Sequence, residues 1–366
     1  MTQAVPFTTA ETHGLRDALD EIVAAGATPG GVIVCGTAAG ERTVISAGVV
    51  SPYTNPKAPD ENTVYDLASL TKVTATWPLV GRAVADGLLD LDTPVRAYLP
   101  PMDGHMPSGE ATMRQLLSHT AGLQAATRLD LYDLTSRPLH ELICHELMED
   151  LPGTHRYINR GYILLGLALA HVGGRPLDRQ AADFWTGLGM GRTGYGPIPQ
   201  APDVAPTEHP DGHDRLWGVV HDENAATMGG VAGHAGVFAP ASDLATYAEH
   251  LLGGHTGTGH ARTDPANPDH AGVDHGGPDH ASPLVQWLRE SLAPQVEIEP
   301  GLYRGLGWIL AAGGTVAYHH GFTGTSLYLA PATGRYVVIA TNAVHNGAPR
   351  IPLAPLRERA LKTLTG

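Results

Sequence analysis

Lysine is scarce in this chain of 366 residues: only Lys57, Lys72 and Lys362 are present. One of the three closes the tetrapeptide Ser69-Leu70-Thr71-Lys72. Residues three apart share a helix face, so this spacing lets Ser69 Oγ and Lys72 Nζ meet. A hydroxyl is a weak nucleophile until a neighbouring base takes its proton. A lysine becomes that base when burial disfavours the ammonium and leaves a neutral amine. If Ser69 opens a helix, backbone N–H groups also point at the oxyanion that develops during attack on a carbonyl. The same four residues equally describe an exposed serine and lysine side by side, so the tetrapeptide alone is weak.

The longer string around it, DLASLTKVTAT, resembles the nucleophile region of the serine β-lactamase and penicillin-recognising family. That family includes class C β-lactamases, D-alanyl-D-alanine carboxypeptidases, family VIII esterases and related transacylases. The resemblance implies two further motifs in order. The second is a Tyr-x-Asn, matched by Tyr157-Ile158-Asn159. It implies that Tyr157 shuttles the serine proton together with Lys72, and that Asn159 binds Lys72 and the polar atoms of the acyl group. On local grounds Asn159 serves equally well as the N-cap of the following helix, and Tyr157 as a packing residue. The third motif is a Lys-Thr-Gly or His-Thr-Gly on a strand, matched by His319-His320-Gly321. Gly321 would let substrate lie close to the strand, and the N–H of Phe322 would join that of Ser69 as an oxyanion hole. The local alternative is an ordinary strand with two half-exposed histidines. The strings LLSHTAGL and GGVAGHAGVFAPASDLATY extend the resemblance, which runs from about residue 15 to the C-terminus.

The chain departs from the pattern at His320, where the family usually carries threonine. In penicillin-binding members that hydroxyl helps to hold a substrate carboxylate. The expected activity is therefore an intracellular esterase or transacylase acting on an ester or amide of a small metabolite. The acyl group would pass from Ser69 to water, an alcohol or an amine. The alternatives are a β-lactamase or D-Ala-D-Ala peptidase and, from another class, a binding module without catalysis on the same fold. No cofactor is implied.

Composition limits the partners. Lys plus Arg number 23 against 37 Asp plus Glu, a formal charge of −14, and charged residues make up 16%. Phosphate recognition needs clustered cations, so neither a nucleic acid nor an anionic membrane surface is expected. The first twenty residues hold no basic, apolar leader pattern, and the apolar window 162–170 is too short to span a bilayer, so a cytoplasmic location is expected. Cys35 and Cys144 sit in apolar surroundings and read as small buried hydrophobes. HDEN at 221–224 reads as a polar network rather than a metal site. The His-rich tract 253–282, with His255, His260, His270, His275 and His280, reads as a surface loop; its spacing matches no compact zinc pattern.

The elements that must position the motifs follow from periodicity. Residues 11–26 form an amphipathic helix with Leu15, Leu19, Ile22 and Val23 on one face, and 31–37 and 42–50 are strands. Residues 64–87 have helix length, with Pro78 expected to kink or interrupt them. Helical patterns dominate to about residue 225, and a later helix carries Ser242 as its expected cap. Strands return at 306–311, 315–321, 325–331 and 334–344 before a closing helix. The expected fold is α/β and β-lactamase-like: an antiparallel sheet flanked by N- and C-terminal helices, with an inserted all-helical domain. The parts are 1–87, 88–225 and 226–366, and the cleft lies between sheet and insertion.

Overall fold

The computed structural model describes residues 5–132, 137–208, 216–253, 281–347 and 351–366. Nearly all of the His-rich tract therefore lies outside the described residues. The chain begins α1 (Thr9–Ala24), β1 (Gly30–Thr37), β2 (Arg42–Gly48), β3 (Val64–Asp66) and α2 (Trp77–Ala85). Its middle holds α3 (Met113–Leu117), α4 (Leu139–Cys144), α5 (Arg160–Val172), α6 (Leu177–Gly187), β4 (Gly194–Tyr195) and α7 (Glu223–Thr227). It returns through β5 (Val237–Pro240), α8 (Ala241–Leu251), α9 (Pro283–Ser291), β6 (Val296–Glu299), β7 (Leu302–Arg304) and β8 (Ile309–Ala311). It closes with β9 (Val316–His320), β10 (Ser326–Ala330), β11 (Arg335–Thr341) and α10 (Ala354–Thr365).

One sheet runs β2-β1-β11-β10-β9-β8-β7-β6, and β3, β5 and β4 form a smaller one. All pairings in the large sheet are antiparallel, with Ile33 of β1 opposite Ile339 of β11. Side chains alternate across a strand, and here both faces are covered, which explains the unbroken apolar run of β1. Ile33 and Cys35 join Leu15 and Leu19 of α1 and Leu356 of α10. Val32 and Val34 face the opposite core, shared with Leu244 and Tyr247 of α8. The helix expected over 11–26 starts earlier because Thr8 and Glu11 close a capping box. Burial pushes the thiol of Cys35 up to about 11 and that of Cys144 up to about 12, so both are inert at neutral pH.

The segment 64–87 departs from expectation. Instead of one kinked helix it is β3, a single tight turn at Ala68–Leu70, a wide π turn at Lys72–Thr76 and then α2. Pro78 sits in the first turn of α2, where a missing N–H is tolerated. That missing donor would otherwise have reached the carbonyl of Thr74, four residues back. The indole N–H of Trp185 takes its place at 2.9 Å. Tyr247 Oη donates to the carbonyl of Val73 at 2.7 Å, and Trp287 Nε1 to that of Trp77 at 3.0 Å. Side chains of α6 and α8 thus satisfy carbonyls of the irregular turn, and one of α9 braces the first residue of α2.

One further expectation is corrected, and two strands were not anticipated. Ser242 does not cap α8: Pro240 holds the N-cap position, and Ser242 Oγ donates to Asn62 Oδ1 at 3.2 Å. Strands β6 and β7 had no counterpart in the periodicity, because both are short, half-buried and charged. No described helix is long and apolar enough to cross a membrane.

Replacing Trp185 with Phe keeps an aromatic ring but leaves the Thr74 carbonyl without a donor. Urea unfolding of Trp185→Phe should show a loss of about 1–3 kcal/mol. An unchanged midpoint would mean that this bond does not support the turn.

Candidate active site

Ser69 lies in the tight turn after β3, and the turn is held from several sides. Ala68 is one of three described non-glycine residues at positive φ, at 45°. That conformation is unfavourable for an L-residue and persists only where surroundings impose it. Asp66 imposes it here. Its Oδ1 accepts the Ala68 N–H at 2.7 Å, and its Oδ2 accepts the His221 N–H at 2.8 Å. Thr323 Oγ1 donates to the Asp66 carbonyl at 2.7 Å and Thr325 Oγ1 to that of Leu67 at 3.0 Å. The turn between β9 and β10 is thereby clamped onto the nucleophile turn. A Cβ added to Gly321 would lie 2.1 Å from Thr325 Oγ1 and 2.3 Å from the Leu67 carbonyl, so only glycine fits at this join.

Lys72 is completely buried. Its Nζ donates to Ser69 Oγ at 2.9 Å, Asn159 Oδ1 at 3.0 Å and the His234 carbonyl at 3.3 Å. The two local readings of the second motif fail here. Asn159 stands at the N-cap position of α5, but its side chain caps nothing and serves Lys72 instead. Tyr157 is 42% exposed rather than packed away. Its ring centroid lies 5.0 Å from Lys72 Nζ, 4.5 Å from the His119 ring and 6.1 Å from the His319 ring.

The third motif splits across the strand. His319 is buried and faces Tyr157; its Nδ1–H donates to the His320 carbonyl at 3.0 Å. His320 is half-buried, tilted against Tyr318, and bonded through Nε2 to Tyr328 Oη at 2.9 Å. Burial holds His319 well below the usual histidine range and His320 down to about 3, so both are neutral at pH 7. Ser69, Tyr157, His319, His320, Gly321 and Phe322 line one cleft of about 390 Å³, joined by Arg304 of β7 and Arg357 of α10. A chamber of about 550 Å³ adjoins it, sharing His320, Gly321, Phe322 and Arg357. The cleft thus holds a hydroxyl beside a buried amine, a phenol at the mouth, and two arginines. This set suits attack on a carbonyl with relay of a proton.

HDEN is a structural network. Asp222 Oδ1 accepts from Ala225 N–H and His234 Nε2–H, both at 2.8 Å, and Asn224 Oδ1 accepts from Leu129 N–H at 3.0 Å. Burial opposes the Asp222 charge, but the His234 bond prevails and holds the carboxyl at about 2. His221 is paired with Glu208. Among the described residues no group of three or more His, Cys, Asp or Glu could hold a metal ion. Sequence reasoning missed Asp66, His119, Arg304 and Arg357. Asp66 and His119 lie inside the quoted strings DLASLTKVTAT and LLSHTAGL, but their local sequence signals no role; Arg357 belongs to no motif, and Arg304 lay on a strand that the periodicity did not reveal.

The Beta-lactamase family model matches residues 15–362. The chain belongs to the Beta-lactamase family. It is an enzyme of the serine β-lactamase fold. A provisionally named D-alanyl-D-alanine carboxypeptidase of Salmonella paratyphi B is 32% identical over 223 residues, 53% of this chain and 52% of that protein. The chain therefore spans about half the length of the curated relatives it matches. A β-lactamase/D-alanine carboxypeptidase from Pseudomonas syringae superposes with a TM-score of 0.73 at 18% identity, covering 97% of this chain and 99% of that one. EstCE1, a hydrolase with promiscuous acyltransferase activity, gives 0.72 at 20% identity, covering 98% and 99%. At such identities the structural likeness establishes the fold alone.

Two predictions follow from the join between Asp66 and Gly321. Gly321→Ala must push β9 away from Ser69, so kcat/KM should fall about 100-fold with circular dichroism unchanged; full activity would show that the spacing is not needed. The second concerns pH. Burial pushes Asp66 up to about 6 against the pull of its two N–H donors. A carboxyl raised in the folded state favours folding below its unfolded value, and that contribution is lost as pH rises through 6. The wild type should therefore lose thermal stability relative to Asp66→Asn between pH 5 and 7. Parallel pH curves for the two proteins would contradict this.

Proposed function

We propose that this enzyme catalyses acyl transfer through a covalent intermediate on Ser69, taking its acyl group from an ester or amide of a small metabolite. The observation that carries this reading is the Ser69 Oγ held 2.9 Å from a fully buried Lys72 in a cleft that substrate can enter. Ser69 Oγ attacks the substrate carbonyl, and its proton passes into the Lys72–Tyr157 pair. The N–H groups of Ser69 and Phe322 receive the oxyanion, Asn159 orients Lys72, and Gly321 lets the acyl group lie along β9. The leaving alcohol or amine takes the proton as its bond to the carbonyl carbon breaks. Water, or an alcohol or amine acceptor, then takes the acyl group from Ser69 by the reverse sequence.

His320 favours an ester-type substrate over a β-lactam. Its neutral ring, tied to Tyr328 Oη, replaces the hydroxyl expected at the middle of the third motif. EstCE1 bears on the same reading through its acyltransferase activity. The curated relatives favour a second reading, D-alanyl-D-alanine carboxypeptidase activity, over the half of the chain that they match.

Incubation with p-nitrophenyl esters should add one acyl group to Ser69 by mass spectrometry, and Ser69→Ala should lose both adduct and turnover. Amines and alcohols should speed release of the acyl group beyond the rate in water. Turnover surviving in Ser69→Ala would end the covalent reading. Faster turnover of penicillins or D-alanyl-D-alanine peptides than of any ester would favour the second reading.

A further inference from the structure

His320 leads away from the nucleophile. Successive side chains of β9 point to opposite faces, so His319 turns to Tyr157 while His320 turns to the face covered by α10. There it forms a floor with two tyrosines. The Tyr318 ring centroid lies 4.8 Å from that of His320 and 5.3 Å from that of Tyr328, the two tyrosines being stacked. This floor belongs to the chamber of about 550 Å³ beside the catalytic cleft. Tyr328, Ala343 and Leu353 in its walls are also members of the apolar core that holds Ile33 and Leu356, with Tyr318 and Leu361 packed against it. The chamber is thus a recess in that core.

The polar groups of its walls have partners within the protein. Tyr328 Oη donates to the Arg357 carbonyl at 3.3 Å, so it is the His320 Nε2–H that donates to Tyr328 Oη at 2.9 Å. Arg357 Nε donates to Ser326 Oγ at 3.3 Å and Nη2 to the Gly321 carbonyl at 3.2 Å. Burial holds His320 down to about 3 and pushes Tyr318 and Tyr328 up, so the three floor rings carry no charge at neutral pH. Among the described residues that line the chamber, Arg357 is the one cation and Glu358 the one anion, so neither sign of ligand is favoured. The lip is apolar and open to water: Phe322 is 59% exposed and Ile351 43%. A recess with satisfied polar walls and an apolar lip suits an uncharged, apolar occupant, which displaces water without stranding a hydrogen bond.

We propose that this chamber receives an uncharged apolar acyl chain, which makes medium- and long-chain acyl esters the substrate class of the enzyme. The proposal rests on the covalent reading above. In that reading the leaving group takes its proton from the Lys72–Tyr157 pair, on the His319 side of β9. Neither Tyr157 nor His319 lines the chamber. The acyl chain takes no proton, and it can pass Gly321 and Phe322, which line cleft and chamber alike. His320 is then a specificity-determining residue. A threonine in its place would take one ring from the floor and put a hydroxyl there instead.

The test measures kcat/KM of the full chain for p-nitrophenyl esters from acetate to decanoate, and for acetates of alcohols from ethanol to decanol. Each methylene added to the acyl chain should raise kcat/KM about fourfold until the chamber is full, and lengthening the alcohol should change it by less than that in total. Ala354 opens α10 at an exposed position of the chamber wall, so Ala354→Trp should fill the space without disturbing the core. Ile351→Asp should set a charge at the lip, and it decides alone if Ala354→Trp does not fold. Each variant should lower the octanoate-to-acetate ratio of kcat/KM at least about tenfold, a measure that a general loss of activity leaves unmoved. An acyl chain ending in a carboxylate should fall behind its methyl-ended counterpart by at least about tenfold. A flat acyl series, or a steep one untouched by both variants, would overturn the proposal. So would a steep alcohol series, which would give the chamber to the leaving group, and so would a preference for the carboxylate-ended chain, which would make it an anion site. Ser69→Ala keeps the two levels apart. Turnover that survives in it ends the covalent reading, whereas its inactivity together with a flat acyl series in the wild type removes only the role of the chamber.

Discussion

The burial of Lys72 governs the rest of this structure. An ammonium taken out of water costs on the order of several kcal/mol unless its hydrogens all find acceptors. The three acceptors come from the nucleophile turn, the start of α5 and the segment leading into β5. None is near the others in sequence, so the lysine is satisfied only when the helical middle of the chain docks on the sheet. The same geometry constrains chemistry. In the resting arrangement Ser69 Oγ is hydrogen-bonded to Lys72 Nζ, and on the proposed reading its proton passes into the Lys72–Tyr157 pair. Tyr157, beside Lys72 at the mouth of the cleft, is the group placed to take it.

A second constraint acts through the backbone. Ala68 is held at positive φ by a buried carboxylate that also secures the His221 amide. His234, which offers its carbonyl to Lys72, leans on Asp222, the residue next to His221. Residues 221–222 therefore brace both the nucleophile and its lysine without entering the cleft. From the other side Thr323 and Thr325 tie β9 and β10 to the same turn. Small shifts in these loops reach the nucleophile turn, because the contacts run to residues 66–68 or to Lys72, either directly or through the Asp66 and His234 side chains.

Much of this could be read from the chain. The strands at both ends, the helices between, the Ser69–Lys72 pair and the pairing of Lys72 with Asn159 all have counterparts in periodicity or motif. What escaped did so for physical reasons. The π turn at Lys72–Thr76 is held by Trp185 and Tyr247 from distant helices, so no local pattern announces it. Ser242 has the residue type of a cap, yet Pro240 caps that helix two residues earlier. Arg304 stands on a strand of three residues between a tyrosine and a glycine, where period-2 alternation has no room to show. Asp66 and His221 meet only in the folded molecule, 155 residues apart.

The pairing of β1 with β11 carries a consequence for how the molecule is made. Residues 31–37 find their partners at 335–341, with the rest of the sheet laid down between. During synthesis the apolar strand GGVIVCGT emerges first and must wait for the last strand before its central ladder closes. Until then only β2 and α1 shield it, and its open edge can pair with other chains. Contacts of such sequence separation slow folding, since most of the chain must be ordered before they form. Until β11 arrives, the open edge of β1 is the place where pairing with other chains competes with assembly.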